Sequence, residues 1–165
     1  MTFSNRAEAA DRLVELLRPW QSGRPIVVAL APSGVATAVT IAHALDTPLD
    51  AIAVHELTAP GVPAGVLGAA ASLAVSVLRG QGVKGLVLAV PVGARAALDR
   101  LRPRVDALVC VREMPWPRPV REWYEDYPEI TDRHARRLLR DEISRNCVDE
   151  RPKAAHARHR KALNA

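Results

Sequence analysis

The residues of this sequence that could bind or transform a ligand follow apolar runs. Ser33 and Gly34 come directly after the apolar run 26–31, and a helical pattern of apolar residues begins at Val35. A strand, a tight loop and a helix in this order direct the unpaired N–H groups of the helix start into the crevice beyond the strand, where they can bind an anion. Ser33, Gly34 and Val35 are therefore candidate contacts for a small phosphorylated ligand. On the pattern alone, an ordinary turn with Ser33 as a helix cap is the simpler interpretation.

His55, at the end of the second apolar run, is the fourth candidate contact, because it is the residue near this crevice that changes charge around neutral pH. His55 and Glu56 together suggest acid–base chemistry. Because no nucleophile lies close to them in sequence, the simpler interpretation is that His55 is an ordinary polar residue at the end of a strand. The acidic pair Glu125-Asp126 has no histidine or third carboxylate at ligand spacing. We predict no catalytic residue and no metal site.

Composition indicates one domain. The chain has 165 residues, 48% of them hydrophobic and 25% charged, which supports one core and is short for two domains. No apolar run approaches the ~20 residues that span a bilayer, and residues 1–6 do not resemble a signal peptide. Cys110 and Cys147 have neither metal nor redox spacing, so we expect reduced thiols and a cytoplasmic protein without a membrane partner.

Four apolar runs alternate with helical patterns along the chain. Buried strands that alternate with helices predict an α/β fold with a parallel sheet, flanked by helices, in the strand order 2-1-3-4. Residues 91–93 are expected to form a loop that faces residues 32–34 across the crevice. The predicted strands are 25–30, 49–54, 85–90 and 107–111, and the predicted helices are 5–17, capped by Ser4, 35–45, 69–79, 94–101 and 132–145.

The folded domain is expected to span residues 1–148. Within it, 114–130 is a segment rich in proline and aromatic residues, and 131–145 is a C-terminal helix with Thr131 as its cap. Trp123 and Tyr124 could stack on a base, but packing over the sheet edge is the more usual role of such a cluster.

Residues 149–165 form a basic tail that we expect to be disordered. The chain has 23 basic and 18 acidic residues, and five basic residues with no acidic one fall within 151–165, so the body is electrically balanced. We therefore expect the tail to bind nucleic acid weakly. The candidate polyanion contacts are Arg151, Lys153, Arg158, Arg160 and Lys161.

Short motifs along residues 3–140 match one known family in the same order. They are Phe3, Asn5-Arg6, Glu8-Ala9, the run 26–34, Leu49-Asp50, Ala59-Pro60-Gly61, Gly68-Ala69, 86–92, Leu101-Arg102-Pro103, 106–110 and 123–126. This series of motifs resembles the type I phosphoribosyltransferase family, and within that family the branch of predicted bacterial phosphoribosyltransferases. The resemblance implies a Rossmann-like three-layer core and an enzyme that binds 5-phosphoribosyl 1-pyrophosphate (PRPP) with Mg²⁺ and transfers the ribose phosphate to a nitrogen base.

The chain departs from this family where the substrate binds. The family's buried strand with two adjacent carboxylates, and the phosphate loop after it, are absent; in the register of helix 69–79 the carboxylate positions fall on Val62 and Pro63. The run 31–34 has no arginine where the family's pyrophosphate loop has one, and His55-Glu56 replaces an Arg-Lys pair. These changes remove the positive charges that a polyanionic substrate requires.

The sequence therefore predicts a phosphoribosyltransferase-like protein that lacks the PRPP-binding motif, is catalytically inactive and acts as a binding or regulatory protein. No cofactor is expected, and Mg²⁺ and PRPP would bind only if the family's activity survived. Two alternatives stay open: an active transferase or other enzyme on a nucleotide or sugar phosphate, and an RNA- or ribosome-associated protein that acts through its tail. The first and third strands are expected to pair directly, because the missing strand would have lain between them. The oligomeric state is not predicted.

A truncation after Glu150 tests the role of the tail. Titrated with single-stranded RNA, the full chain should bind weakly, with a log–log salt slope of roughly −3.5 to −4.5 for five phosphate contacts. The truncated chain should lose this binding. Equal binding by both proteins would contradict the role assigned to the tail.

Overall fold

The computed structural model describes residues 2–53, 68–116 and 118–149, with the side chains of residues 146–149 left out. The fold is α/β, as the sequence predicts. Its strands are β1 (Val27–Ala31), β2 (Leu49–Ala53), β3 (Val87–Ala94) and β4 (Ala107–Met114). Its helices are α1 (Arg6–Leu17), α2 (Val35–Leu45), α3 (Ala69–Gly80), α4 (Arg95–Leu101) and α5 (Asp132–Asp149), and short 3₁₀ helices span Arg18–Gly23, Arg102–Arg104 and Val120–Trp123.

The strands form two parallel pairs. β1 pairs with β2, with Val27 opposite Leu49, and β3 pairs with β4, with Val87 opposite Ala107. The parallel direction was predicted, but the direct pairing of β1 with β3 is not found among the residues described, so the strands do not form one hydrogen-bonded sheet there. The two pairs instead meet through the apolar side chains of a shared helix.

That shared helix is α1. Its inner face belongs to one hydrophobic cluster with the end of α2, and the strand residues packed against the cluster come from both pairs, Val27 from β1 and Val87 and Ala89 from β3. Leu13 at the centre of this face is fully buried. Burial of apolar surface on a common helix therefore joins the two pairs.

The start of α1 is capped one residue later than predicted. Asn5, and not Ser4, is the N-cap, and its side-chain oxygen accepts a hydrogen bond from the Glu8 N–H at 3.0 Å. The Glu8 carboxylate in turn accepts from the Ser4 N–H at 2.7 Å, which holds the pKa of Glu8 below its usual value. The two bonds together form a reciprocal cap.

Strand β3 runs further than the sequence predicts. Residues 91–93 were expected to be a loop, but the strand continues to Ala94. Val90 and Val92 pair with Cys110 and Arg112, while Pro91 has no partner in the register. A proline without an N–H is tolerated at such a position, so it does not end the strand.

Two arginines fix helix α3 to the segments that lead into β3 and β4. Arg79 donates hydrogen bonds to the carbonyls of Val83, Lys84 and Arg104 and to the Asp106 carboxylate. Arg104 donates to Ser72 and Ser76 on α3. Guanidinium groups therefore donate the hydrogen bonds on both sides of this contact, from Arg79 on α3 and from Arg104 to α3.

Helix α5 packs on α2 and β2, with Ala135, Leu138 and Leu139 directed inward as predicted. Thr131 caps it, since its hydroxyl accepts a hydrogen bond from the His134 N–H at 3.3 Å. Ile143 was also expected to be inward, but it is 56% exposed.

The inward position near Ile143 is taken by Glu142, which is 2% exposed. Its carboxylate contacts His43 on α2 and lies 3.2 Å from the Arg145 guanidinium. This buried polar contact between Glu142 and His43, and not an apolar one, links the C-terminal part of α5 to α2.

No helix in the described parts of the chain has the length and apolar content needed to cross a membrane.

Replacement of Glu142 by Gln should destabilise the fold by about 1–3 kcal/mol, because it removes the charge from a buried hydrogen-bonded carboxylate. Asp141→Asn is the matched control: Asp141 is the exposed neighbour, and the change should stay within about 0.5 kcal/mol. Urea denaturation followed by circular dichroism measures both. Equal effects of the two variants would show that the contact with His43 adds no stability.

Candidate functional site

The loop between β1 and α2 closes tightly on the end of its own strand. The Gly34 N–H donates to the Leu30 carbonyl at 2.8 Å, and the Val35 N–H donates to the Pro32 carbonyl at 3.3 Å. The Ala31–Pro32 peptide bond is cis. Two N–H groups that the sequence offered as ligand contacts are therefore already bonded within the protein.

Gly34 is required here by close approach of the backbone. A Cβ at this position would lie 2.7 Å from the Leu30 carbonyl oxygen, closer than van der Waals contact permits. Its φ is −82°, an angle open to any residue, so space and not conformation selects glycine.

Ser33 does not cap α2, contrary to the simpler interpretation of the sequence. The N-cap is Gly34, and no side chain bonds the first turn. Ser33 is exposed, so its hydroxyl is accessible to a ligand. Val35 is fully buried, which restricts its side chain to the core.

The donors that the sequence analysis did not name are the N–H groups of Ala36 and Thr37. They lie in the first turn of α2, where a helix has no acceptor of its own to offer. Neither donates to another backbone group in the described residues. The start of α2 at Val35 puts these two N–H groups in the first turn, and because no side chain caps that turn they can bind a ligand.

His55 and the five basic tail residues lie outside the described residues. The structure brings together Ser33, Gly34 and Val35, and these three alone of the predicted contacts have a described position.

No acidic side chain stands at the ends of the described strands that flank the middle of the fold. β1 ends at Ala31 and β3 at Ala94. At the end of β4, Glu113 forms ion pairs with Arg95 and Arg102, so its charge is matched within the protein. In the described part of the chain no group of three His, Cys, Asp or Glu residues is placed to hold a metal ion.

Cys110 is not placed as a nucleophile. Burial raises the pKa of its thiol, which keeps the thiol protonated, and its Sγ lies 3.1 Å from the Arg112 carbonyl oxygen. A protonated, partly buried thiol is unreactive.

The aromatic residues near the C-terminal segment pack against the body of the protein. The Tyr124 ring lies 5.4 Å from Phe3 and 4.7 Å from Tyr127, between ring centroids, and burial raises the pKa of Tyr124 to about 12. Trp123 packs against the same cluster. Glu125 and Asp126 are exposed beside it, in agreement with a solvated acidic pair.

No family model matches the chain. In fold the chain is similar to the crystal structure of the protein TT1426 from Thermus thermophilus, with a TM-score of 0.75 and 23% sequence identity over 86% of this chain and 99% of that one.

Substitution of Gly34 by Ala should destabilise the protein by about 1–3 kcal/mol, because the new methyl group overlaps the Leu30 carbonyl. Gly23→Ala is the control, since no atom lies within 4 Å of its Cβ position. Thermal unfolding of the two variants gives the comparison. A Gly34→Ala protein as stable as Gly23→Ala would mean that the loop is not as tightly closed as described.

Proposed function

We propose that this chain is a phosphoribosyltransferase-like domain that binds a small phosphorylated ligand without transferring a ribose phosphate, and that it acts as a binding or regulatory protein. The observation that carries the proposal is the composition of the β1–α2 loop. It offers the Ser33 hydroxyl and the N–H groups of Ala36 and Thr37, but neither a cation nor a carboxylate. Such a site can hold a phosphate group and has no group for chemistry.

Two parallel strand pairs flanked by helices are compatible with the α/β core of the family that the sequence resembles. In this proposal the two pairs belong to one layer, in the order β2-β1 and then β3-β4, and α1 spans the position between β1 and β3. That position is where the family's missing strand would lie. The similarity in fold to TT1426 agrees with a shared α/β core.

The absence of transfer follows from electrostatics. Transfer from PRPP requires carboxylates that hold the ribose hydroxyls and donors that neutralise the developing pyrophosphate charge, and most of such catalysis is positioning of this kind. β1 and β3 end in alanines, and the N–H groups of Gly34 and Val35 are bonded to Leu30 and Pro32. A ligand would have to break these bonds to use them.

The test combines turnover and binding. The full chain, freed of contaminating enzymes, is incubated with PRPP, Mg²⁺ and each common purine or pyrimidine base, and pyrophosphate release is measured. We expect no turnover. Steady turnover would overturn the proposal in favour of an active transferase.

Calorimetry with inorganic phosphate and with PRPP, with and without Mg²⁺, measures binding. Ser33→Ala should weaken binding about two- to tenfold, the effect of one neutral hydrogen bond. Ser22→Ala, at an exposed serine in the 3₁₀ helix Arg18–Gly23, should have no effect. Lack of any binding, or equal affinities of the two variants, would contradict a ligand site at this loop.

A further inference from the structure

We infer that a second anion site lies between the first turns of α1 and α2, where Arg6 receives the carboxylate or phosphate group of a small organic anion. A pocket of about 250 Å³ opens there. Its wall is formed by Asn5, Arg6, Ala7, Ala36, Asp126, Pro128 and Ile130. The inference does not rest on the proposed function, because its defining contact is Arg6; the two sites share Ala36 at the start of α2 but not the Ser33 hydroxyl.

The guanidinium of Arg6 is unusual for a buried cation. The residue is 9% exposed, yet no carboxylate of the described residues lies within ion-pair distance of it. Its contacts are a hydrogen bond to the Pro128 carbonyl and the face of the Tyr127 ring, whose centroid lies 3.6 Å from Cζ. A guanidinium has five N–H donors, so most of its hydrogen-bonding capacity has no acceptor among these residues.

A buried cation without a counterion is costly, and a bound oxyanion would remove that cost. The planar fork of the guanidinium matches the two oxygens of a carboxylate or phosphate group. The carbonyl of Pro128, itself part of the pocket wall, holds the fork in place.

Two helix starts add to the positive potential of the pocket. The wall includes Ala7 from the first turn of α1 and Ala36 from the first turn of α2. The Asn5 cap satisfies the Glu8 N–H, and neither Ala7 nor Ala36 donates to a backbone carbonyl outside its own helix among the residues described. N–H groups and helix dipoles at two converging termini favour an anion.

The size and lining of the pocket define the class of ligand. Its volume is below the roughly 300–1,000 Å³ of ordinary small-molecule sites, which favours a ligand smaller than a nucleotide. Ala36, Pro128 and Ile130 provide an apolar wall beside Arg6. The pocket therefore suits one oxyanion group that carries a short carbon chain.

Asp126 sets the affinity, because its exposed carboxylate stands on the same wall and repels an anion. Its removal should strengthen binding, whereas a residue with only a structural role would not improve a ligand's affinity when replaced. An increase in affinity on replacement of Asp126 therefore distinguishes a ligand site from a packing contact.

The experiment is calorimetric titration of the full chain with butyrate and with inorganic phosphate at constant ionic strength. Arg6→Gln should weaken binding about tenfold or more, the effect of a lost charge-assisted bond. Arg12→Gln, an exposed arginine of the same helix, is the charge-matched control and should leave binding unchanged. Asp126→Asn should strengthen binding about two- to fivefold.

Ala7→Glu keeps the test valid if Arg6→Gln fails to fold. An acidic residue in the first turn favours the helix, but its carboxylate would repel the ligand, so binding should fall relative to Ala7→Gln. Preference for butyrate would assign a carboxylate ligand, and preference for phosphate a phosphorylated one. No binding of either probe, or affinities unchanged in Arg6→Gln and Ala7→Glu, overturns the inference; Ser33→Ala leaves this site intact and so separates it from the loop.

Discussion

The architecture depends on the burial of one helix face. Through α1, Leu13 and its neighbours hold Val27 of β1 and Val87 of β3 in a common cluster, although the two strands share no hydrogen bond in the described residues. A hydrophobic contact imposes distance but little register. The helix can therefore hold the two strand pairs together without a hydrogen-bonded ladder between them in the described residues.

The need to pair backbone groups explains the character of the β1–α2 loop. The Leu30 and Pro32 carbonyls must be paired when the strand ends and the chain turns, and Gly34 and Val35 supply the N–H groups. A loop that satisfies itself in this way keeps its shape without a ligand. The donors left for a ligand are then the next two N–H groups along the chain, those of Ala36 and Thr37 in the first turn of α2.

The sequence predicts the elements well where one local signal decides. The apolar run of β2 and the capped start of α5 have the expected positions, because strand burial and Thr131 capping are local. The run through Pro91 was mispredicted, since whether a proline ends a strand depends on the register with β4. Ile143 was placed inward by periodicity, but the partner that draws Glu142 inward is His43, 99 positions away.

The candidate site, too, was predictable from local sequence signals but not from long-range contacts. Spacing locates Ser33 and Gly34 at a helix start, but not which N–H groups the loop itself uses. Asn5-Arg6 belongs to the family resemblance, but the local sequence does not predict that Arg6 is buried, because that burial depends on Tyr127 and Pro128, more than 100 positions away. Long-range contacts of this kind have no trace in local pattern.

The polar contacts that hold α3 in place depend little on acidity. Arg79 and Arg104 bind carbonyls and serine hydroxyls, which do not titrate. The titrating partner in the described contacts is Asp106, and the Leu86 N–H and Arg79 hold its pKa below the usual value. The Asp106 carboxylate therefore stays charged in mildly acidic solution, so its hydrogen bond to Arg79 persists there.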